Sequence, residues 1–141
     1  MWFQKEGDKI SRQDMLMLTR RFADEARKRI SPHPERVLLL PPDITRAHSG
    51  AGWITEELYT LFAGTSDVHV IPTLGQHVPH TPEQNRYMFG SIPEDRIGVH
   101  DWRAGARTIG EVPASFVKEV SGGQADWPIP VSLNTTLLDG H

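Results

Sequence analysis

Cysteine is absent from the 141-residue sequence, which excludes a disulfide scaffold, a thiolate zinc site and a cysteine nucleophile. Long apolar runs are absent too, so no segment has the roughly 18 consecutive apolar residues of a membrane-spanning helix. The 15 basic residues nearly balance the 18 acidic ones, and this net charge of −3 lacks the basic excess of a dedicated nucleic-acid binder. The N-terminal residues do not show the charged-then-apolar pattern of a signal peptide. We therefore expect a cytoplasmic globular protein, with residues 1–141 forming a single domain.

Apolar residues recur with spacings that predict alternating helices and strands. The predicted helices span residues 11–30, 53–62 and 81–89, and the predicted strands span residues 36–40, 68–72 and 96–100. Further extended segments are expected at 108–112 and 128–134, whereas 114–120 fits either a helix or a strand. The alternating order favours the α/β class, as a Rossmann-like parallel sheet flanked by helices.

Ligands of parallel α/β sheets bind beyond the carboxyl ends of the strands. In this sequence those ends lead into residues 41–52, 73–80 and 100–105, which hold most of the unusual polar residues. The candidate functional residues therefore lie in these three loops.

The first loop combines an acidic and a basic residue, Asp43 and Arg46, on either side of Thr45. A carboxylate and a guanidinium at this spacing can form a salt bridge, and the guanidinium can then hold a carboxylate or phosphate through two hydrogen bonds. The Thr45 hydroxyl and the glycine N–H groups of residues 50–52 would add contacts to an anion near the next helix. The structural alternative is a turn capped by Asp43 with a solvated arginine.

The second loop contains two histidines, His77 and His80. Histidines at this spacing can bind a metal or exchange protons. Beside an arginine that holds an acid, the imidazole of His77 would serve as a general base. The structural alternatives are a hydrogen-bonded loop histidine at His77 and a solvent-exposed or structural residue at His80.

The third loop begins with the adjacent pair His100 and Asp101. The aspartate could orient the histidine as a base, or it could instead cap the backbone of a turn. The residues alone leave both interpretations open.

Two of these loops together resemble motifs of the nickel-pincer lactate racemase family. Residues 40–46, LPPDITR, followed by SGAG at 49–52, resemble the Asp-x-Thr-Arg loop of that family. Residues 74–83, LGQHVPHTPE, are similar to its Gly-Thr-His-x-x-Met-Thr segment, and parts of residues 89–103 fit as well. The resemblance covers most of the chain from Val37 onward, with the motifs in the same order.

The resemblance implies a racemase or epimerase that acts on 2-hydroxy acids, either lactate-like acids or sugar acids. Family members have two α/β domains with the active site between them, and this chain would be the truncated N-terminal catalytic domain. Their cofactor is a nickel-pincer nucleotide, pyridinium-3,5-bisthiocarboxylic acid mononucleotide nickel, which is tethered to a lysine and exchanges a hydride with the substrate. The implied partners are a small-molecule 2-hydroxy acid substrate and the enzymes that synthesise the cofactor, with no nucleic acid and no membrane.

The resemblance also implies roles for individual residues. His77 would be one of two general bases that flank the substrate. Asp43, Thr45 and Arg46 would contact the cofactor, and Arg46 would also hold the substrate carboxylate.

The sequence departs from the family pattern at two positions of the second motif. Gln76 and His80 stand where many relatives have Thr and Met, so both are expected to contact the substrate and reshape its pocket. The lysine tether, the nickel-ligating histidine and the second base have no counterpart in this sequence, which therefore supplies no metal ligand of its own. The 141-residue chain alone is expected to be inactive.

Two other functions fit the same residues. One is a non-catalytic domain that binds a small anion at the strand ends. The other is a metal-dependent hydrolase that uses Asp43, His77 and His80.

Overall fold

The computed structural model describes residues 9–75 and 77–139 and shows a protein of the α/β class. The chain forms two compact units, one up to His100 and one from Asp101 onward, where the sequence predicts a single domain. Within the described ranges, no helix combines the length and the apolar character needed to cross a membrane.

The first unit alternates helices and strands as the periodicity predicts. Its elements are α1 (Arg12–Arg29), β1 (Arg36–Leu39), α2 (Ala51–Phe62), β2 (Asp67–Val70) and α3 (Pro82–Phe89), with 3₁₀ helices at Ile44–Ser49 and Glu94–Arg96. Capping boxes start two of the helices, with Ser11 and Asp14 at α1 and Thr81 and Gln84 at α3. The positions of α1 and α3 are therefore set largely by local sequence.

β1 and β2 pair in parallel, with Leu39 opposite Val70. The pairing continues beyond the ends of both strands through a bridge between Pro42 and Thr73. The loops that follow the two strands therefore leave the sheet side by side.

The prediction of a third strand at residues 96–100 is wrong. The 3₁₀ helix Glu94–Arg96 takes up the start of this segment, and a single parallel bridge then joins Ile97 to Val70. Gly98 adds one hydrogen bond from its N–H to the Val70 carbonyl (2.8 Å). The segment after the 3₁₀ helix therefore meets β2 through one bridge and one hydrogen bond and forms no regular ladder with it.

Two clusters of buried apolar side chains form the core of the first unit: Val70, Met88, Phe89 and Ile92 in one, and Ala23, Phe62 and Val68 in the other. Ile44, which begins the first 3₁₀ helix, packs against the first cluster. The loop after β1 is therefore anchored to the core immediately after Asp43.

The second unit is built on an antiparallel pair of strands, β3 (Ala106–Val112) and β4 (Ile129–Asn134). The extended segments predicted at 108–112 and 128–134 are confirmed, and the segment that fits either type is the helix α4 (Ala114–Val120). A short helix, α5 (Thr135–Asp139), follows β4. Among the described residues of this unit, only Val117 is buried.

Candidate functional site

A buried aspartate, Asp43, follows β1. It is the N-cap of the 3₁₀ helix Ile44–Ser49, and its Oδ1 accepts hydrogen bonds from the Thr45 backbone N–H (3.1 Å) and the Thr45 hydroxyl (2.5 Å). Aspartate suits this position because its carboxylate satisfies an N–H group that has no partner within the helix. Only 5% of the Asp43 side chain is exposed. The local sequence thus fixes one carboxylate oxygen and leaves Oδ2 for a partner from elsewhere.

The partner of Oδ2 is His77, in the loop that follows β2. The two loops are joined because Thr73 donates its backbone N–H (2.8 Å) and its hydroxyl (3.0 Å) to the Pro41 carbonyl. His77 also donates its backbone N–H to the Leu74 carbonyl (2.9 Å), which folds this loop back on itself. Here the His77 Nδ1 contacts the Asp43 Oδ2. The structure therefore brings together one candidate residue from each of the first two loops.

The Asp43 carboxylate determines which nitrogen of His77 carries a proton. Burial raises the pKa of Asp43, but hydrogen bonds from Thr45 and His77 outweigh it, so this pKa lies below its ordinary value. An ionised carboxylate can only accept, so the His77 Nδ1 donates and the Nε2 of the neutral ring has no proton. Because 58% of the His77 side chain is exposed, a ligand can reach it. An accessible imidazole nitrogen without a proton is what a general base requires.

Arg46 lies in the same 3₁₀ helix, but the salt bridge with Asp43 that the sequence spacing allows is not formed. The Asp43 carboxylate is occupied instead by Thr45 and His77. Arg46 is exposed, and no described residue forms a hydrogen bond or ion pair with its guanidinium. The arrangement is thus a turn capped by Asp43 beside a solvated arginine, and that arginine is available to bind an external carboxylate or phosphate.

His80 faces the interior of the first unit. Its Nε2 accepts a hydrogen bond from the Ile44 N–H (2.9 Å), and its Nδ1 pairs with the Asn85 Oδ1 (3.0 Å). Its ring stacks on Phe89 with the ring centres 6.0 Å apart. Both nitrogens are in use within the fold, so we do not assign the expected substrate contact to His80. Gln76, the other residue expected to contact the substrate, lies outside the described residues.

Asp101, from the third loop, caps a turn. Its Oδ1 accepts from the backbone N–H groups of Arg103 (3.0 Å) and Ala104 (2.8 Å). These hydrogen bonds lower the pKa of Asp101, and the one from Ala104 has the largest effect. The geometry matches the turn-capping interpretation of this residue.

The residues present fit one part of the implied cofactor. The exposed Arg46 guanidinium suits the anionic groups of a nucleotide. No group of three or more His, Asp or Glu side chains placed to hold a metal occurs within residues 9–75 and 77–139. A metal-dependent hydrolase is disfavoured as well, because both nitrogens of His80 already have partners.

Two polar residues near the site were missed by the sequence analysis. Asn85 is buried in α3 and donates its Nδ2 to the Glu94 Oε1 (2.7 Å). A signal for Asn85 was present, because it stands three and four residues before Met88 and Phe89, on the face of α3 that enters the core. Glu94 carries no comparable signal, since its position depends on the turn that replaces the third predicted strand.

The fold resembles that of a solved structure of a Thermotoga maritima protein, a structural genomics target. The likeness covers 97% of this chain with a TM-score of 0.76 and 21% sequence identity. This chain spans 33% of the length of that protein. No protein-family model matches the sequence, and no curated protein matches it. At this identity the comparison shows the fold alone, and it confirms the α/β class predicted from the sequence.

Proposed function

We propose that this chain is part of a cytoplasmic racemase or epimerase of 2-hydroxy acids, the function implied by its resemblance to the nickel-pincer lactate racemases. The observation that carries the proposal is the pairing of His77 with the buried carboxylate of Asp43. This pairing presents an unprotonated imidazole nitrogen at the strand ends, where α/β sheets bind their ligands. It unites the two motifs on which the resemblance rests.

In this proposal His77 handles the proton of the substrate hydroxyl. Oxidation of a 2-hydroxy acid to the corresponding keto acid removes a hydride from C2 and a proton from the hydroxyl. His77 takes that proton at Nε2 and returns it when the hydroxyl is restored. Asp43 keeps the ring oriented and stabilises the imidazolium that forms during the step.

Arg46 holds the substrate carboxylate or an anionic group of the cofactor. Its guanidinium is exposed and forms no ion pair with any residue of 9–75 or 77–139, so an anion would displace no partner among these residues. The chemistry that the nickel-pincer nucleotide would supply when bound is the acceptance and return of the C2 hydride.

The decisive experiment measures loss of configuration at C2 in single-enantiomer 2-hydroxy acids. The full polypeptide that contains this chain is co-expressed with the cofactor-synthesising enzymes and assayed by chiral chromatography. A substrate that carries deuterium at C2 should keep its label in the product, because the same hydride is removed and returned. We expect His77→Ala to lower the rate by roughly 10²- to 10⁴-fold, the usual contribution of a general base.

His33→Ala is the matched control, because His33 is an exposed histidine in the turn after α1. Its rate should equal that of the wild type. Wild-type turnover in His77→Ala would contradict the proposal. Anion binding without turnover, unchanged by His77→Ala and weakened by Arg46→Gln, would favour the non-catalytic binding domain.

A further inference from the structure

A chain of hydrogen bonds connects the first loop to the interior through His80. The Ile44 N–H donates to the His80 Nε2 (2.9 Å), and the His80 Nδ1 pairs with the Asn85 Oδ1 (3.0 Å). Asn85 in turn donates its Nδ2 to the Glu94 Oε1 (2.7 Å). These bonds link the loop after β1, the loop after β2, α3 and the 3₁₀ helix Glu94–Arg96.

The direction of each bond fixes the protonation of His80. A backbone N–H can only donate, so the His80 Nε2 accepts and carries no proton. In the neutral ring the proton is then on Nδ1, which donates to the Asn85 carbonyl oxygen. Asn85 is held in this orientation because its amide group donates to the carboxylate of Glu94. Each donor in the chain therefore meets an acceptor.

The Ile44 N–H that His80 binds belongs to the first turn of the 3₁₀ helix Ile44–Ser49. N–H groups at the start of a helix have no partner within the helix. Asp43 satisfies the N–H groups of Thr45, through its side chain, and of Arg46, through its carbonyl. The N–H of Ile44 is left, and His80 supplies its acceptor. His80 thus completes the turn that aims Asp43 at its partner.

We propose that His80 is a positioning residue: its unprotonated Nε2 holds the turn after Asp43 in the place where Asp43 meets His77. The proposal rests on the function proposed above, in which that pair is the catalytic base. Protonation of His80 turns Nε2 into a donor that faces the Ile44 N–H. The hydrogen bond is then lost, the turn is released and the pair separates.

The His80 ring borders a small cavity. A cavity of about 70 Å³, large enough for water, is lined by His80, Asn85 and Glu94 together with apolar residues. Glu94 is linked to the ring through Asn85, and Asp43, the residue before Ile44, pairs with His77. α3 places Asn85 and Phe89 against the ring, whereas its charged residues, Glu83 and Arg86, are exposed and pair with each other (3.0 Å).

The test is nuclear magnetic resonance on the 141-residue chain labelled with ¹⁵N, which requires no turnover. Near neutral pH we expect His80 to carry its proton on Nδ1. When the pH is lowered until His80 is protonated, the Ile44 amide should shift with the same midpoint as the His80 ring. The Nδ1–H resonance of His77 should weaken in the same transition.

Two variants of His80 distinguish a positioning role of its Nε2 from a role in packing alone. His80→Gln keeps an acceptor for the Ile44 N–H, but the glutamine side chain does not titrate. The pH-dependent shift of the Ile44 amide resonance should therefore disappear. The protection of this amide from hydrogen exchange should stay within about threefold of the wild type. His80→Leu removes the acceptor, and the protection of Ile44 should fall by about fivefold to tenfold.

The proposal is overturned if His80 carries its proton on Nε2, or if the Ile44 amide does not respond when His80 is protonated. Equal protection of Ile44 in His80→Leu and His80→Gln would also overturn it. The 141-residue chain could pass these tests while the longer polypeptide shows no racemisation. That result would refute the proposed function and leave the His80 contact established.

Discussion

At the scale of single residues, the Asp43 carboxylate is the group on which the candidate site depends. Its Oδ1 accepts two hydrogen bonds from Thr45 and its Oδ2 contacts the His77 Nδ1. An asparagine at this position has one acceptor oxygen and one donor group. If the amide oxygen of the asparagine accepts the hydrogen bonds from Thr45, the amide N–H group faces the His77 Nδ1. The His77 Nδ1 must then accept, so the ring proton moves to Nε2. The base nitrogen is thereby lost.

We therefore predict that Asp43→Asn lowers the racemisation rate by roughly 10²- to 10⁴-fold without removing the fold. Steady-state kinetics measure the rate, and ¹⁵N shifts of the His77 ring report the change of tautomer. Asp95→Asn is the control, because Asp95 is exposed in the 3₁₀ helix Glu94–Arg96. A wild-type rate in Asp43→Asn, or a ring proton that stays on Nδ1, would contradict the role of Asp43.

The residue types of the site were predictable, but their pairing was not. The positions of Asp43 and His77 after the two strands follow from the apolar runs that precede them. The sequence spacing suggested that Asp43 pairs with Arg46, yet Thr45 and His77 occupy the carboxylate. Local spacing shows which groups can meet, whereas burial and the geometry of the turn decide which of them do.

At the scale of elements, the helices were more predictable than the sheet. α1 and α3 are specified by capping boxes and by the spacing of their own apolar residues, which are local signals. A strand also needs a partner, and alternation of apolar residues does not identify it. Residues 96–100 reach β2 through a single bridge, whereas β3 pairs along its length with β4.

The contact between α2 and α3 depends on a glycine that the sequence analysis did not single out. Gly52 lies at the start of α2, and a Cβ atom there would be 2.0 Å from the backbone oxygen of Met88 in α3. Since α2 follows the loop of Asp43 and α3 follows the loop of His77, this close approach helps to set the spacing of the two loops.

We predict that Gly52→Ala destabilises the chain by about 1–3 kcal/mol, because the clash with backbone outweighs the gain in helix propensity. Chemical denaturation measures the free energy of unfolding. Gly64→Ala is the matched control, since a Cβ at Gly64 would meet no atom within 4 Å. Its free energy of unfolding should stay within about 0.5 kcal/mol of the wild type. Equal stabilities of the two variants would show that α2 and α3 can separate at little cost.

At the scale of the whole molecule, the two units differ in how well their sheets are covered. In the first unit, Val68 and Val70 of β2 are 2% and 0% exposed. In the second unit, four large apolar side chains of the two strands are 39–52% exposed: Ile109, Ile129, Val131 and Leu133. A two-stranded sheet without a covered face is marginally stable in water. The sequence analysis predicted a single domain, and it could not show that the buried apolar side chains of the described residues lie, apart from Val117, in the first unit.

We predict that this difference appears in hydrogen exchange of the 141-residue chain. Backbone amides open by local unfolding wherever few apolar contacts oppose it. Amides of β3 and β4 should therefore exchange about 100-fold faster than those of β1 and β2, once each rate is divided by that of the unfolded peptide. Mass spectrometry of peptic fragments resolves the two sheets. Equal protection would mean that the apolar face of β3 and β4 is covered in solution, and size measurement by light scattering would then show whether a second copy of the chain covers it.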